Sequence, residues 1–196
     1  MMLRLLKIEH FRGIESAEWV IDRHLIGLVG AGDSTKTTLL DAIGLVLSAN
    51  HNPQFTDADF FGLDLKKNIT IEAAISGLPD NLVKESQLGK DRSGIKPNGR
   101  LVHDPVDGAE ECLVIRLTIT PELDPTWEIV RPGTEDARHI SASQRRQLGF
   151  FRLGERPDYH LYRDQGRYSN VSKALRPPSV TIVRYGLKRF KVESGP

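Results

Sequence analysis

A single cysteine, Cys112, is all that the 196 residues contain, so an intramolecular disulfide and a cysteine-based zinc site are both excluded. Cys112 falls in an alternating apolar run, where a buried structural thiol is expected, and no function is assigned to it. Long hydrophobic runs are missing too. No stretch approaches the roughly 18 apolar residues that a bilayer span needs, and Arg4, Lys7 and Glu9 interrupt the N-terminal segment, which spoils the core of a signal peptide. No membrane contact is therefore expected, and the chain is assigned to the cytoplasm. Charge of one sign is also scarce: 27 basic residues oppose 26 acidic ones, for a formal net charge of +1. With 39% hydrophobic and 27% charged residues, the composition is that of an ordinary globular chain, neither disordered nor fibrous.

The two signs are unevenly spread. From Arg145 to the end, 12 Lys and Arg stand against 4 Asp and Glu, a net +8, which leaves −7 for the first 144 residues. Such a basic end suits a nucleic-acid surface or an acidic partner, and equally a solvated tail. We expect one domain over residues 1–150 and a basic C-terminal segment over 151–196.

Apolar spacing sets the expected elements. Leu3 to Ile8, Glu18 to Ile21 and Leu25 to Val29 read as three strands, the last fully buried because it lacks polar alternation. Leu39, Leu40, Ile43, Val46 and Leu47 then recur at helical spacing up to Ser48, and Asn50, Asn52 and Pro53 stop the helix. Period-two alternation predicts strands over Ile69 to Ser76 and Leu113 to Thr120, with a further strand around Trp127 and Ile129 and antiparallel pairing among them. Gly89 to Gly108, polar and rich in Gly and Pro, reads as a long surface connection. Ser141 or Ser143 caps a short helix through Leu148.

Between the third expected strand and the helix lie Gly30, Ala31, Gly32, Asp33, Ser34, Thr35, Lys36, Thr37 and Thr38. The P-loop pattern is Gly, four variable residues, Gly, Lys and Ser or Thr, in a loop that opens a helix. Its amides and the positive end of the helix dipole hold phosphate before any side chain is counted. Lys36 would meet the β and γ phosphates of ATP, the Thr37 hydroxyl would bind Mg²⁺, and Thr38 would add a hydrogen bond to phosphate. The pattern breaks once, because Thr35 sits where the second glycine belongs. A plain turn with Lys36 in the first helical turn is the alternative, but a cation there opposes the helix dipole, and a bound anion supplies the reason for it.

Ile8, Glu9, His10, Phe11, Arg12, Gly13 and Ile14, followed by that loop, resemble the start of the OLD-type ATP-dependent endonucleases, relatives of the RecF, SMC and Rad50 ATPase heads. The resemblance continues less specifically through Phe55 to Phe61 and the strand from Ile69. It implies an α/β P-loop NTPase fold, the N-terminal lobe of an ABC-type ATPase head with an added antiparallel β portion. The family's loop has Asn where this chain has Gly32 and Gly where it has Thr35, departures that bear on affinity and turnover. By the resemblance Arg12 lies near the nucleotide, against the alternative of a solvated arginine, and Asp59 lies near the metal, against that of a plain acidic turn. The scattered histidines show no metal-ligand spacing, and no metal beyond nucleotide-bound Mg²⁺ is expected.

The implied function is the ATP-binding lobe of an ATPase linked to DNA cleavage or phage defence. Its partners would be ATP, DNA for the complete system, a C-terminal lobe or Toprim domain, and a second copy across a dimer. The Walker B pair, the signature segment and the Toprim ligands of such systems are not visible before Pro196, so no catalytic residue is assigned. Two other readings stay open: a nucleotide-binding interaction module that does not hydrolyse ATP, and a nucleic-acid-binding piece working through its basic end.

Overall fold

A computed structural model of the protein describes residues 1–30, 35–47, 49, 53–78, 80 and 88–148. The hairpin of β1 (Met2–Phe11) and β2 (Ile14–Val20) comes first, then α1 (Lys36–Leu47) and two single 3₁₀ turns, Asp57–Asp59 and Phe61–Leu63. Next are β3 (Ile69–Ser76), a third 3₁₀ turn at Gly89–Asp91, β4 (Ser93–Ile95), β5 (Leu101–Val102), β6 (Glu110–Ile119), β7 (Pro125–Val130), β8 (Ala137–His139) and α2 (Ala142–Gln147). The basic segment 151–196 lies outside the described residues.

All eight strands join one antiparallel sheet. Its centre runs β2-β1-β3-β6. Because β3 occupies one edge of β6 from Cys112 to Ile119, the other edge must be shared: β4 pairs at Glu110 to Cys112 and β7 at Val114 to Ile119. The strand period of two then sorts the side chains. Leu6 and Ile8, Ile71, Ala73 and Ile75, Leu113, Ile115 and Leu117, and Trp127 and Ile129 all enter the main core.

The helix α1 closes that face with Leu39, Ala42, Ile43, Val46 and Leu47. Its four large side chains contribute roughly 1.5–3 kcal/mol each on burial, which outweighs the roughly 1 kcal/mol lost to Gly44 in the helix interior. Burial against the sheet, rather than intrinsic propensity, makes this segment helical. The Trp127 Nε1–H donates to the Leu45 carbonyl at 3.1 Å and ties the far end of α1 to β7.

The opposite face is apolar at one end and polar at the other. Leu5, Ala74, Ile95, Cys112, Val114 and Val130 form a second, smaller cluster. Beyond it, Glu18, Lys7, Glu72, Arg116 and Glu128 stand in register across five strands. Their signs alternate along the row, and Lys7 meets Glu18 at 3.1 Å while Arg116 Nη2 meets Glu72 at 2.6 Å. Cross-strand pairs of opposite charge favour this register over a slipped one.

Two expectations are overturned. Leu25–Val29 forms no strand and is not fully buried: Leu25 is 58% exposed and Val29 57%, and only Leu28 packs partly on the core. A strand buried on both faces needs hydrogen-bonded neighbours, and none among the described residues pairs with this stretch. Gly89–Gly108, expected as a surface connection, carries β4 and β5 and buries Ile95 against the second cluster. Glycine permits the close approach: a Cβ on Gly94 would stand 2.7 Å from Val102 Cγ2. β1, β3, β6, β7 and α2, capped by Ser141, follow the expected pattern, whereas the second strand begins at Ile14 rather than Glu18 and β8 was not expected.

Candidate functional site at the start of the first helix

The first turn of α1 holds no acidic residue and opens on Lys36. Within the first turn of the helix, therefore, no carboxylate balances the positive end of the dipole. Thr35 begins the helix by accepting the Leu39 N–H at 2.9 Å, and its φ is +61°. That left-handed conformation costs a non-glycine residue roughly 1–2 kcal/mol, more where the side chain is β-branched. The motif's second glycine would stand at this position, where the chain turns left-handed as it enters the helix.

The Lys36 Nζ donates to the Gly30 carbonyl at 3.0 Å. This bond links the two described ends of the loop, Gly30 and Lys36. Thr37 is exposed at the helix mouth and Thr38 is half-buried. Ala31, Gly32, Asp33 and Ser34 lie outside the described residues.

The β1–β2 turn packs on the exit of this loop. A Cβ on Gly13 would lie 3.3 Å from Thr35 Cγ2, so a larger residue here would press on the loop. Arg12, the other turn residue, has a φ of +50° and sits with its guanidinium 4.8 Å from the centre of the Phe11 ring. Its backbone N–H donates to the Asp59 carbonyl at 2.7 Å and its Nε to Asp59 Oδ1 at 2.8 Å, while Nη1 donates to Asp41 Oδ2 on α1. Burial works to lower the Arg12 pKa, but the bonds to Asp59 and Asp41 outweigh it and raise it above the ordinary value.

Arg12 is therefore not simply a solvated arginine. Asp59 is fully engaged in turn: Oδ1 takes Arg12, and Oδ2 accepts the Thr56 N–H at 2.9 Å. That arrangement makes Asp59 the acid of a structured turn rather than an open metal ligand. Asp41 escaped sequence reasoning because an acid on a helix reads as part of a solvated face. A signal was present nonetheless, since Asp41 is the single carboxylate in the otherwise apolar run from Leu39 to Leu47.

Other charged groups are engaged elsewhere. Arg145 lies 3.8 Å over the Trp127 ring, and burial lowers its pKa to about 10. Glu110 pairs with Arg4 at 2.9 Å and Glu111 with Arg92 at 3.0 Å. Burial, with the charges of Glu110 and Glu111, pushes the Cys112 thiol up to about 12.

A solved structure from work on the ATP-driven dimerization and DNA-stimulated activation of SMC ATPases matches with a TM-score of 0.51 at 13% identity. The match covers 89% of this chain and 99% of that one. The fold is that of an ABC-type ATPase-head lobe. RecF with ATP, a recombination mediator of the RecFOR pathway, matches this head lobe with a TM-score of 0.43 at 10% identity over 71% of the chain. An Smc head bound to the C-terminal winged-helix domain of ScpA gives 0.42 at 16% identity over 76% of the chain. The lobe spans 27% of the RecF chain and 39% of the Smc chain. No protein-family model and no curated sequence matches it.

Proposed function

We propose that the chain is an ATP-binding lobe in which Gly30 to Thr38 cradle the triphosphate. The observation that carries this reading is the helix mouth: no first-turn acid, Lys36 bonded to the Gly30 carbonyl, and left-handed Thr35 at the glycine position. On binding, Lys36 would exchange the Gly30 carbonyl for the β and γ phosphates, and Arg12 would present a further cation from the adjoining turn. The exposed Thr37 hydroxyl is suited to nucleotide-bound Mg²⁺, which would screen phosphate charge. ATP titration of the wild type and of Lys36→Ala, at two salt concentrations, tests the assignment. Specific binding that survives higher salt and is lost in the mutant supports it; equal affinity in a folded mutant refutes it.

The finer reading is an OLD-type system acting on DNA in the cytoplasm, with a second lobe or Toprim domain and a second head completing the machine. Its support is the Phe11-Arg12-Gly13 turn packed against Thr35 and the exposed Leu25 and Val29, apolar side chains that a further strand would cover. Co-expression with a candidate second lobe, followed by hydrogen exchange over residues 25–29, tests the completion. Protection appearing there only in the complex is the expected result.

A further inference from the structure

We infer that Asp41 and Asp59 are positioning residues for Arg12, holding its guanidinium so that one unbonded nitrogen faces the ligand. This inference rests on the ATP-binding reading above and assigns a role that no motif residue carries. Backbone strain is the first observation. Arg12 takes a φ of +50° at the hairpin turn, a conformation that persists in a non-glycine residue only when its surroundings over-determine it. Asp59 provides that determination twice, through its carbonyl to the Arg12 N–H and through Oδ1 to Nε. Asp59 is itself fixed, with its side chain 12% exposed and Oδ2 held by Thr56.

The second observation is the link to the helix. Asp41 binds Nη1 from α1, the same helix that Lys36 opens, so Arg12 is referenced to the frame that carries the loop. With Nε and Nη1 taken, Nη2 keeps its hydrogens without a bond among the described residues, and the side chain is 39% exposed. Two fixed points define the guanidinium plane, and the third nitrogen is the one left to meet an oxyanion. Guanidinium planes recognise phosphate through such directional donors.

Charge gives the test its sign. Two carboxylates beside one guanidinium leave the trio at net −1, so Asp41 repels a triphosphate through space. If Asp41 did nothing but repel or compete for Arg12, Asp41→Asn would tighten ATP binding. If it positions Arg12, the same change weakens binding, and only while Arg12 is present.

The experiment is MgATP titration calorimetry on the full chain in five forms: wild type, Arg12→Ala, Asp41→Asn, Asp59→Asn and the Arg12→Ala/Asp41→Asn double variant. Circular dichroism melts on each form check folding. Asp41→Asn is expected to weaken binding about three- to ten-fold, the lower part of the range for coupled neighbours, and to have no weakening effect in the Arg12→Ala background. Asp59→Asn should weaken it in the same way; should that variant fail to fold, the Asp41 cycle decides alone. Tighter binding by Asp41→Asn, no change, or equal weakening in both backgrounds overturns the inference while leaving the ATP site intact. A folded wild type without ATP affinity overturns the ATP-binding reading and this inference together.

Discussion

Replacing Thr35 with glycine separates backbone strain from side-chain function at the loop exit. In the folded chain Thr35 holds φ at +61° while its carbonyl starts α1. Relief of the left-handed strain is worth roughly 1–2 kcal/mol. Glycine also loosens the unfolded chain, which costs about 0.4–1 kcal/mol. The threonine methyl, which lies 3.3 Å from where a Cβ on Gly13 would stand, is surrendered as well. The strain is the largest of the three, so Thr35→Gly should be neutral to stabilising by up to about 1 kcal/mol, a rise of up to roughly 2–4 °C in Tm for a domain of this size. Thr35→Ala keeps the left-handed strain and should show no rise.

Thermal melts of the three proteins measure this directly, and ATP titration of the same samples reads the site. Glycine lets the backbone approach phosphate closely, so affinity should hold or improve. A clear fall in Tm for Thr35→Gly would refute the strain argument. Marked loss of ATP affinity with Tm maintained would show instead that the threonine hydroxyl is a ligand.

Thr37→Ala should reduce the Mg²⁺ dependence of ATP binding while leaving the melt unchanged, because the hydroxyl is exposed; a wild-type Mg²⁺ response would remove the metal role. Trp127→Phe leaves the Leu45 carbonyl without its donor and weakens the Arg145 stack, and should destabilise by roughly 1–3 kcal/mol in denaturant melts. Cys112 should resist thiol reagents in the folded chain at pH 8. Its thiol pKa is about 12 folded against an ordinary 9.0, so it contributes stability fully below pH 9 that is lost as pH rises toward 12, and Cys112→Ser should flatten that part of a stability-pH profile. Purified chain should release phosphate from ATP only at background rate, since a loop alone positions no attacking water and the acids at the start of β6 are already paired with Arg4 and Arg92. Robust turnover abolished by Lys36→Ala would contradict this.

Local periodicity was enough to foresee β1, β3, β6, β7, α1 and the Ser141 cap, because each of these elements buries a face whose spacing is written in consecutive residues. The proposed phosphate loop from Gly30 to Thr38 was read from neighbouring residue types alone, and of its features the structure describes the left-handed Thr35 and the Lys36 bond to Gly30. Partners distant in sequence were not legible. Leu25–Val29 reads as a buried strand, yet strand formation depends on a hydrogen-bonding neighbour that no local pattern supplies. The Gly- and Pro-containing run from Gly89 yields β4 and β5 because β6 offers a free edge at Glu110 to Cys112, a consequence of β7 pairing only from Val114 onward. Asp41 and Asp59 lie 29 and 47 residues from Arg12, and only folding brings both carboxylates to one guanidinium. Sequence by itself determined the elements that bury a periodic face and offered the pattern on which the phosphate-loop proposal rests, whereas tertiary structure decided which edges are paired and which charges meet, since both depend on closing long loops.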